Sequence, residues 1–445
     1  MPLDTISAVS TPLVPSGVAV LRISGTKALD IAQKMFKPLS KVGVKDFEPN
    51  KMYVGEIVAD GFCDHGMAVY FKAPKSFTGE DVVEFHSHGG VAIAKGILRK
   101  ILSLGARLAT NGEFTKRAFI NGKLSLSSAE GLIDMINSES VSGVKAGYYL
   151  YREKLTAEIT AMQELITDAL AEVDANIDFP EEDLQIKSTE SVERALSTAI
   201  EKVKKLKSTY RMGRTLKDGV KVGIVGKPNT GKSSLLNALL NYEKALVSNV
   251  AGTTRDIVEG SIDINGVRFN FFDTAGIRDS EDKVESLGVE LSKRILKQSD
   301  LLLLVLDGGS ICKDDLDIYN FVNNEKHIVV QNKCDAFYKK SDLADLLVSA
   351  LTKENIEKLK EILYQKTVGD GIDLNGDFLC EERHFDALNR AEEKFSMALA
   401  NINTVPLDIL SIDIKDGWDA LGEISGKTAT EEIINNIFSK FCVGK

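Results

Sequence analysis

Residues 221–234, KVGIVGKPNTGKSS, decide the reading of the central part of this 445-residue chain. The pattern Gly226-x4-Gly231-Lys232-Ser233 follows a β-rich run, Val220–Val225, and precedes a helical one, Ser234–Leu240. A phosphate-binding loop needs that context. Its glycines let backbone N–H groups face phosphate oxygens, and the helix N-terminus adds partial positive charge. Lys232 then reaches the β- and γ-phosphates, and Ser233 holds Mg²⁺. A Gly-rich strand–helix turn without ligand would look the same in isolation, so the downstream motifs decide. Asp273-Thr274-Ala275-Gly276 follows the run Arg268–Phe272, Asn332-Lys333-Cys334-Asp335 follows His327–Gln331, and Ser349-Ala350 follows the next apolar run. Asp273 would contact Mg²⁺ through water, and the Gly276 N–H would bond the γ-phosphate. The Asp335 carboxylate can accept both the N1–H and the N2 amino group of guanine, a donor pair that adenine lacks. The order of the motifs predicts a guanine-nucleotide site of the translation-factor-like class. Its residues are Asn229, Thr230, Gly231, Lys232, Ser233, Ser234, Asp273, Thr274, Ala275, Gly276, Asn332, Lys333, Asp335, Ser349 and Ala350.

The first switch loop belongs at Ser248, Asn249, Val250, Ala251, Gly252, Thr253 and Thr254, with Thr254 the natural second Mg²⁺ ligand. Ile277 stands where Ras-like GTPases carry the Gln that orients the attacking water, so something else must position it. Asn229 offers a carboxamide oxygen beside the phosphates. Together with switch-loop carbonyls it could coordinate a monovalent cation, which would neutralise transition-state charge as an arginine finger does. The plain alternative is that Asn229 only forms the turn.

Strand and helix runs alternate from about residue 217 to 370, the pattern of a parallel α/β sheet. Its flanks differ. Leu155, Ile159, Met162, Ile166, Ala169 and Val173 make one helical stripe, and Leu196, Ile200, Val203 and Leu206 another, with Pro180 and the acidic run Glu181–Asp183 between them. Helical periodicity returns at Phe385, Leu388, Phe395, Leu399 and Ile402, then over Leu407–Leu421, then from a Thr430 cap to Phe441. Residues 1–120 mix β-rich runs (Val18–Ile23, Met67–Phe71, Val82–Phe85) with a helix over Ala92–Leu104. The fold expected is an α/β P-loop GTPase domain inserted in an all-α helical domain, with an N-terminal α+β domain. The boundaries expected are 1–120, 121–215, 216–372 and 373–445.

Net charge is −10, a poor electrostatic match for a nucleic-acid backbone, so any RNA role needs a local basic patch or an RNA-binding partner. The 5 cysteines, odd in number and scattered, fit neither a disulfide framework nor a four-cysteine zinc site. The N-terminal residues lack signal-peptide character, and the longest apolar run, Leu301–Leu306, is too short to span a bilayer. A cytoplasmic location with reduced thiols is expected.

AGTTRD (251–256) and DTAGIRDSEDKVESLGVE (273–290) resemble the MnmE (TrmE) family of tRNA-modification GTPases. So do Asp4-Thr5-Ile6, GVAVLRISG (17–25), SFTGEDVVEFHSHGG (76–90), GEFTKRAFINGKLSLSSAEGLIDMI (112–136), Asp178-Phe179-Pro180 and the closing FCVGK (441–445). The resemblance covers essentially the whole chain. It implies K⁺ bound by Asn229, Ser248, Val250 and Thr253, and a catalytic Glu285 that orients water beside Lys232. It implies a 5-formyl-tetrahydrofolate-type cofactor held by Arg22, Glu84, Lys123 and Lys445. It implies a homodimer that works with the flavoprotein MnmG, in a heterotetramer or larger complex, to build an aminomethyl-type group on C5 of the wobble uridine of certain tRNAs. Ser248 replaces a common Thr, and His86-Ser87-His88 departs from the usual Gln-Gly-His.

Read without the family, Arg22 and Glu84 are edge-strand or surface charges. Cys63, His65, His86 and His88 are better taken as surface or packed residues than as zinc ligands. Cys442 could attack C6 of uracil as a thiolate, but packing accounts for it equally well. A GTP-controlled ribosome-assembly switch is the rival function. Such factors carry a basic RNA-binding region after the GTPase unit, whereas residues beyond 375 are acidic helices. A folate-dependent one-carbon transferase with a regulatory GTPase is a second rival.

Overall fold

The computed structural model describes residues 4–178, 185–240, 260–273, 299–309, 311–337, 339–369 and 378–445. The chain divides into two compact units. One comprises Met1–Ile133, Tyr149–Val203 and Asp386–Lys445, and the other Asp134–Tyr148 and Lys204–Phe385. The second unit is therefore an insertion in the first.

In the first unit the strands are β1 (Ile6–Val9), β2 (Ser16–Ser24), β3 (Phe36–Pro38), β4 (Met52–Ala59), β5 (Phe62–Phe71), β6 (Val82–Gly89) and β7 (Arg107–Leu108). They form one sheet in the order β3-β4-β5-β6-β2-β1-β7, antiparallel except for the β1–β7 pair. Alternation decides which face is covered. Leu21, Ile23, Ile57 and Phe85 point to the core with Ile97 and Ile101, while Met52 and Val54 stay exposed. Helices Ala28–Met35 and Val91–Ser103 supply the other side of that core. The three expected β-runs fall inside β2, β5 and β6. Strand β4 and helices Ala28–Met35 and Glu113–Ile120 are additional.

The helical part of this unit rests on the stripe from Leu155 to Val173, buried along helix Lys154–Asp178. Helix Leu407–Ser425 packs on it, and Trp418 and Gln163 lock the pair. The indole Nε1 donates to the Gln163 carbonyl, and the Gln163 carboxamide donates to the Trp418 carbonyl, each at 3.1 Å. Helix Leu407–Ser425 runs past the expected end at Leu421 because its stop is Gly426, at φ +96°, and not Gly422. Helix Glu431–Ser439 starts at the expected cap, where Thr430 Oγ1 accepts from the Ile433 N–H, and ends two residues before Phe441. Pro180 and Glu181–Asp183 lie outside the described residues.

The second unit is built on β8 (Val220–Val225), β9 (Gly260–Ile264), β10 (Val267–Asp273), β11 (Leu301–Asp307), β12 (His327–Asn332) and β13 (Leu346–Leu347). Their order is β13-β12-β11-β8-β10-β9, parallel except for the β9–β10 hairpin. Leu301–Leu306 is buried throughout, as a central parallel strand covered on both faces must be. Burying each such side chain contributes about 1.5–3 kcal/mol. No helix among the described residues is long and apolar enough to cross a membrane.

Candidate functional site

Strand β8 lies between β10 and β11, so the chain leaves it to one side and returns on the other. In a parallel sheet that switch point opens a crevice at the carboxyl ends of the strands. The loop after β8 fills it. Gly226 sits at φ +150° against the Val305 carbonyl, and Gly231 at φ +87° against the Asn332 carboxamide; a Cβ at either position would overlap its neighbour. Asn229 adopts φ +65°, a left-handed conformation that asparagine tolerates better than most residues. That geometry agrees with the turn-forming role and leaves the carboxamide available for another.

Lys232 begins helix Lys232–Leu240 and is buried. Its Nζ donates to the carbonyls of Gly226 at 2.9 Å and Lys227 at 2.7 Å, which curls the ammonium over the loop. Thr230 Oγ1 closes the loop by donating to the Lys227 carbonyl. Ser233 and Ser234 are exposed on the first helical turn. Asp273 ends β10 directly opposite Ile224 of β8, so the neighbouring strand delivers it to the same edge. The Ser233 hydroxyl is an oxygen donor of the kind that suits a hard cation such as Mg²⁺. Ser248–Thr254, Thr274, Ala275, Gly276, Ile277 and Glu285 lie outside the described residues.

The loop after β12 is tied to the phosphate loop by side chains. Asn332 Nδ2 donates to the Thr230 carbonyl at 3.0 Å, and its Oδ1 accepts from the Ala350 N–H at 3.0 Å. Lys333 Nζ reaches the Asn229 carbonyl at 3.1 Å and Asp307 Oδ2 at 2.6 Å. Burial pushes the Asp307 carboxyl up, but the Lys333 hydrogen bond and charge outweigh it and hold Asp307 below the usual range. Asp335 Oδ1 accepts from Ser349 Oγ at 2.5 Å, and Ser349 is fully buried, which fixes the carboxylate in direction. Asp307 was missed by sequence reasoning. Its signal was available as the acid that ends the apolar run of β11.

Arg22 on β2 and Glu84 on β6 are register partners, with Nε 2.7 Å from Oε1. Both strands have a neighbour on each side, so the plain reading of these residues as edge or surface charges is corrected: their side chains are 22% and 14% exposed. The pair is interior because β2 joins the two halves of the sheet. The Arg22 guanidinium lies 5.7 Å from the Phe77 ring centroid and 5.6 Å from that of Phe114. Burial raises the Glu84 carboxyl, yet the nearby His86 imidazole, its Nε2 3.6 Å from Oε2, and the charge of Arg22 bring it below its ordinary value. Lys123 donates to the Pro74 carbonyl at 3.0 Å and packs on Gly79, so the 74–80 loop links Lys123 to Phe77 beside Arg22. Lys445 is placed differently. Ser10 Oγ donates to the Gly444 carbonyl at 3.2 Å, which pins the tail beside β1. Among the described residues no hydrogen bond joins Lys445 to Arg22, Glu84 or Lys123.

Sequence reasoning missed Arg117, on the same helix as Phe114. Only 2% exposed, it meets Asp4, Glu80 and Glu113 at 2.8, 3.1 and 3.0 Å. The Glu113 carboxyl, raised by burial but overcompensated by Arg107 and Arg117, falls to about 2. His88 pairs with Asp64 at 2.7 Å and is exposed, and among the described residues no three ligands gather for a metal. Cys442 is exposed, and its carbonyl accepts from the Gly112 N–H.

Residues 126–442 match the MnmE helical domain family, and residues 5–123 match the GTP-binding protein TrmE N-terminus family. The tRNA modification GTPase MnmE of Caldicellulosiruptor saccharolyticus is 37% identical over 100% of both chains. That of Clostridioides difficile is 37% identical over 99% of both. Among solved structures, the G domain of the T. maritima FeoB iron transporter is 27% identical over 33% of this chain and 98% of that one, with a TM-score of 0.26.

Proposed function

The chain belongs to the MnmE family of tRNA modification GTPases, and from that membership we propose that its hydrolysis of GTP to GDP and phosphate drives modification of the wobble uridine of tRNA. The single observation that supports the site best is the Asn332–Thr230 bond, which makes the base-reading and phosphate-holding loops one piece. Asp335 selects guanine, Lys333 braces the phosphate loop, and Lys232 neutralises charge on the β- and γ-phosphates. Ser233, Thr254 and Asp273 would hold Mg²⁺, which supplies Lewis-acid stabilisation of the phosphates when bound. Asn229, with Ser248, Val250 and Thr253, would hold K⁺. Glu285 would orient the attacking water in place of the Gln that Ile277 displaces.

The first unit would bind a formyl-tetrahydrofolate-type cofactor and form the homodimer. Arg22 fits an anionic or planar ligand, because Glu84 engages its Nε while two aromatic rings flank the rest of the guanidinium. Lys123, tied to the 74–80 loop, and Lys445, in the tail, would complete the ligand set. With the flavoprotein MnmG, the assembly would install an aminomethyl-type group at C5. The functional division would fall near residues 120, 215 and 372, and the site of action would be the cytoplasm. Wobble-uridine analysis of tRNA from cells carrying Asp273→Ala, and separately Arg22→Ala, tests this reading. Loss of the modified base in both is expected, and normal modification in both would sink it.

A further inference from the structure

The second unit has a second face. At the amino edge of its sheet, opposite the nucleotide loops, lies a cleft of about 610 Å³ lined by Tyr210, Arg211, Arg214, Lys221 and Asp300 among others. One strand length, about 20 Å for six residues, separates it from the phosphate loop. Arg211 and Arg214 stand one turn apart and exposed on helix Tyr210–Asp218. Lys221, the second residue of β8, lines the same cleft, and its N–H donates to Asp300 Oδ2. Lys326, just before β12, is crowded by the charges of Arg211 and Lys366.

Among the described residues, Arg211, Arg214 and Lys221 line the cleft with two carboxylates, Asp218 and Asp300; Lys326 borders it, its carbonyl accepting from the Leu302 N–H, and Lys366 is near enough for its charge to act on Lys326. The carboxylates are already engaged, Asp218 with Arg214 at 3.5 Å and Asp300 with the backbone of β8. Burial first, then Arg211 and Lys366, push the Lys326 ammonium below its ordinary value, with Asp300 acting against them. Like charges held together at a cost, on a chain of net charge −10, indicate a polyanion that relieves the repulsion when it binds.

We infer that the amino edge of the GTPase sheet, centred on Arg211, Arg214, Lys221, Lys326 and Lys366, is a docking surface for the phosphodiester backbone of the tRNA substrate. This rests on the proposed function, which supplies the tRNA. It also meets the requirement set by the composition, since an acidic protein needs a local basic patch to hold RNA. Phosphate contacts position without reading sequence, so the surface would fix how tRNA lies and leave base choice to the modification site.

The test is the affinity of the full-length protein for a fluorescein-labelled tRNA transcript, by anisotropy over a range of KCl. The variants are Arg211→Ala/Arg214→Ala and Lys326→Ala/Lys366→Ala. Lys41→Ala/Lys45→Ala, two exposed charges of the first unit, controls for net charge, and GDP affinity checks that the second unit is folded. Each double variant should weaken tRNA binding about tenfold or more and reduce the salt slope by about 1 for each contact removed. Affinities and slopes equal to those of Lys41→Ala/Lys45→Ala would overturn the inference. Unchanged tRNA affinity with lost capture of purified flavoprotein would assign the patch to protein docking and also overturn it. If the unaltered protein hydrolyses GTP but binds no tRNA, the proposed function itself fails on that point.

Discussion

Asn332 donates its carboxamide N–H to the Thr230 carbonyl across 3.0 Å, joining two loops that are 102 positions apart in the chain. The carbonyl it satisfies is buried, and so is Asn332. Asn332→Ala would leave that acceptor unpaired, at about 1–3 kcal/mol, and loosen the phosphate loop. Thermal unfolding of the variant should shift down, and GDP should restore part of the loss by mass action. An unshifted transition would show the bond to be incidental.

Ser349 Oγ donates to Asp335 Oδ1 and fixes the carboxylate which, on the proposed reading, accepts two hydrogen bonds from guanine. Asp335→Asn replaces an acceptor pair by one donor and one acceptor. GTP affinity should fall about 10²–10⁴-fold, the value of two bonds to a charged group at ~1.5–3 kcal/mol each. Xanthosine triphosphate, which carries a carbonyl at C2, should gain in its place. Competition between the two nucleotides on the same variant reads the switch.

Asn229 combines a left-handed backbone with a candidate cation ligand. Alanine would disturb both, whereas Asn229→Gly keeps the backbone and removes only the carboxamide. Turnover in KCl relative to NaCl should fall by about 10²-fold toward the level in NaCl, the scale of one lost transition-state contact. If the glycine variant keeps full stimulation by K⁺, Asn229 is only a turn former.

Lys217 Nζ lies 2.9 Å from Asp134 Oδ1 and pairs also with Glu381 Oε1. Burial first, then the Glu381 carboxylate, push Asp134 up to about 8, with Lys217 acting against them. A folded-state pKa above the unfolded one means that the native state binds the extra proton. Stability should therefore fall as pH rises from about 4 to about 8, with a slope up to ~1.4 kcal/mol per pH unit. Asp134→Asn should flatten that part of the profile in denaturant titrations from pH 5 to 9; an unchanged slope would exclude Asp134 as its source.

Arg117 is the sole cation meeting Asp4, Glu80 and Glu113 together among the described residues. Arg117→Leu should cost about 3–5 kcal/mol in the first unit, because it strands carboxylates that are partly buried. Glu113 shows the opposite pH sign to Asp134. Its depressed pKa gives stability that is present above about 4.5 and lost as pH falls toward about 2. Acid unfolding of Glu113→Gln should be less steep over that window, and an equally steep curve would argue against the pairing.

The nucleotide loops were legible because each is a short run of fixed residue types at the end of an apolar strand, and the stripe from Leu155 to Val173 because helical period is local. Pairings across the chain were not. Trp418 and Gln163 are 255 positions apart, and Lys217 and Glu381 are 164 apart. Nothing within one helical turn of either residue marks its partner. Arg22 and Glu84 looked like surface charges because a sequence shows the interruption of an apolar run and not the strand that will lie beside it. The basic cleft was hidden for the same reason. Arg211, Lys221 and Lys326 are ordinary surface residues until β8, β11 and β12 lie side by side and helix Tyr210–Asp218 leads into β8 at the same edge.

The interleaving of the two units has a consequence for synthesis on the ribosome. The last piece of the second unit ends at Phe385, while the first unit still lacks Asp386–Lys445. The nucleotide-binding unit can thus finish folding during translation, while Leu155, Met162 and Trp418's partner Gln163 wait for residues not yet made. Chaperone demand should fall on the half-built first unit, whose apolar helical faces are the last to be covered.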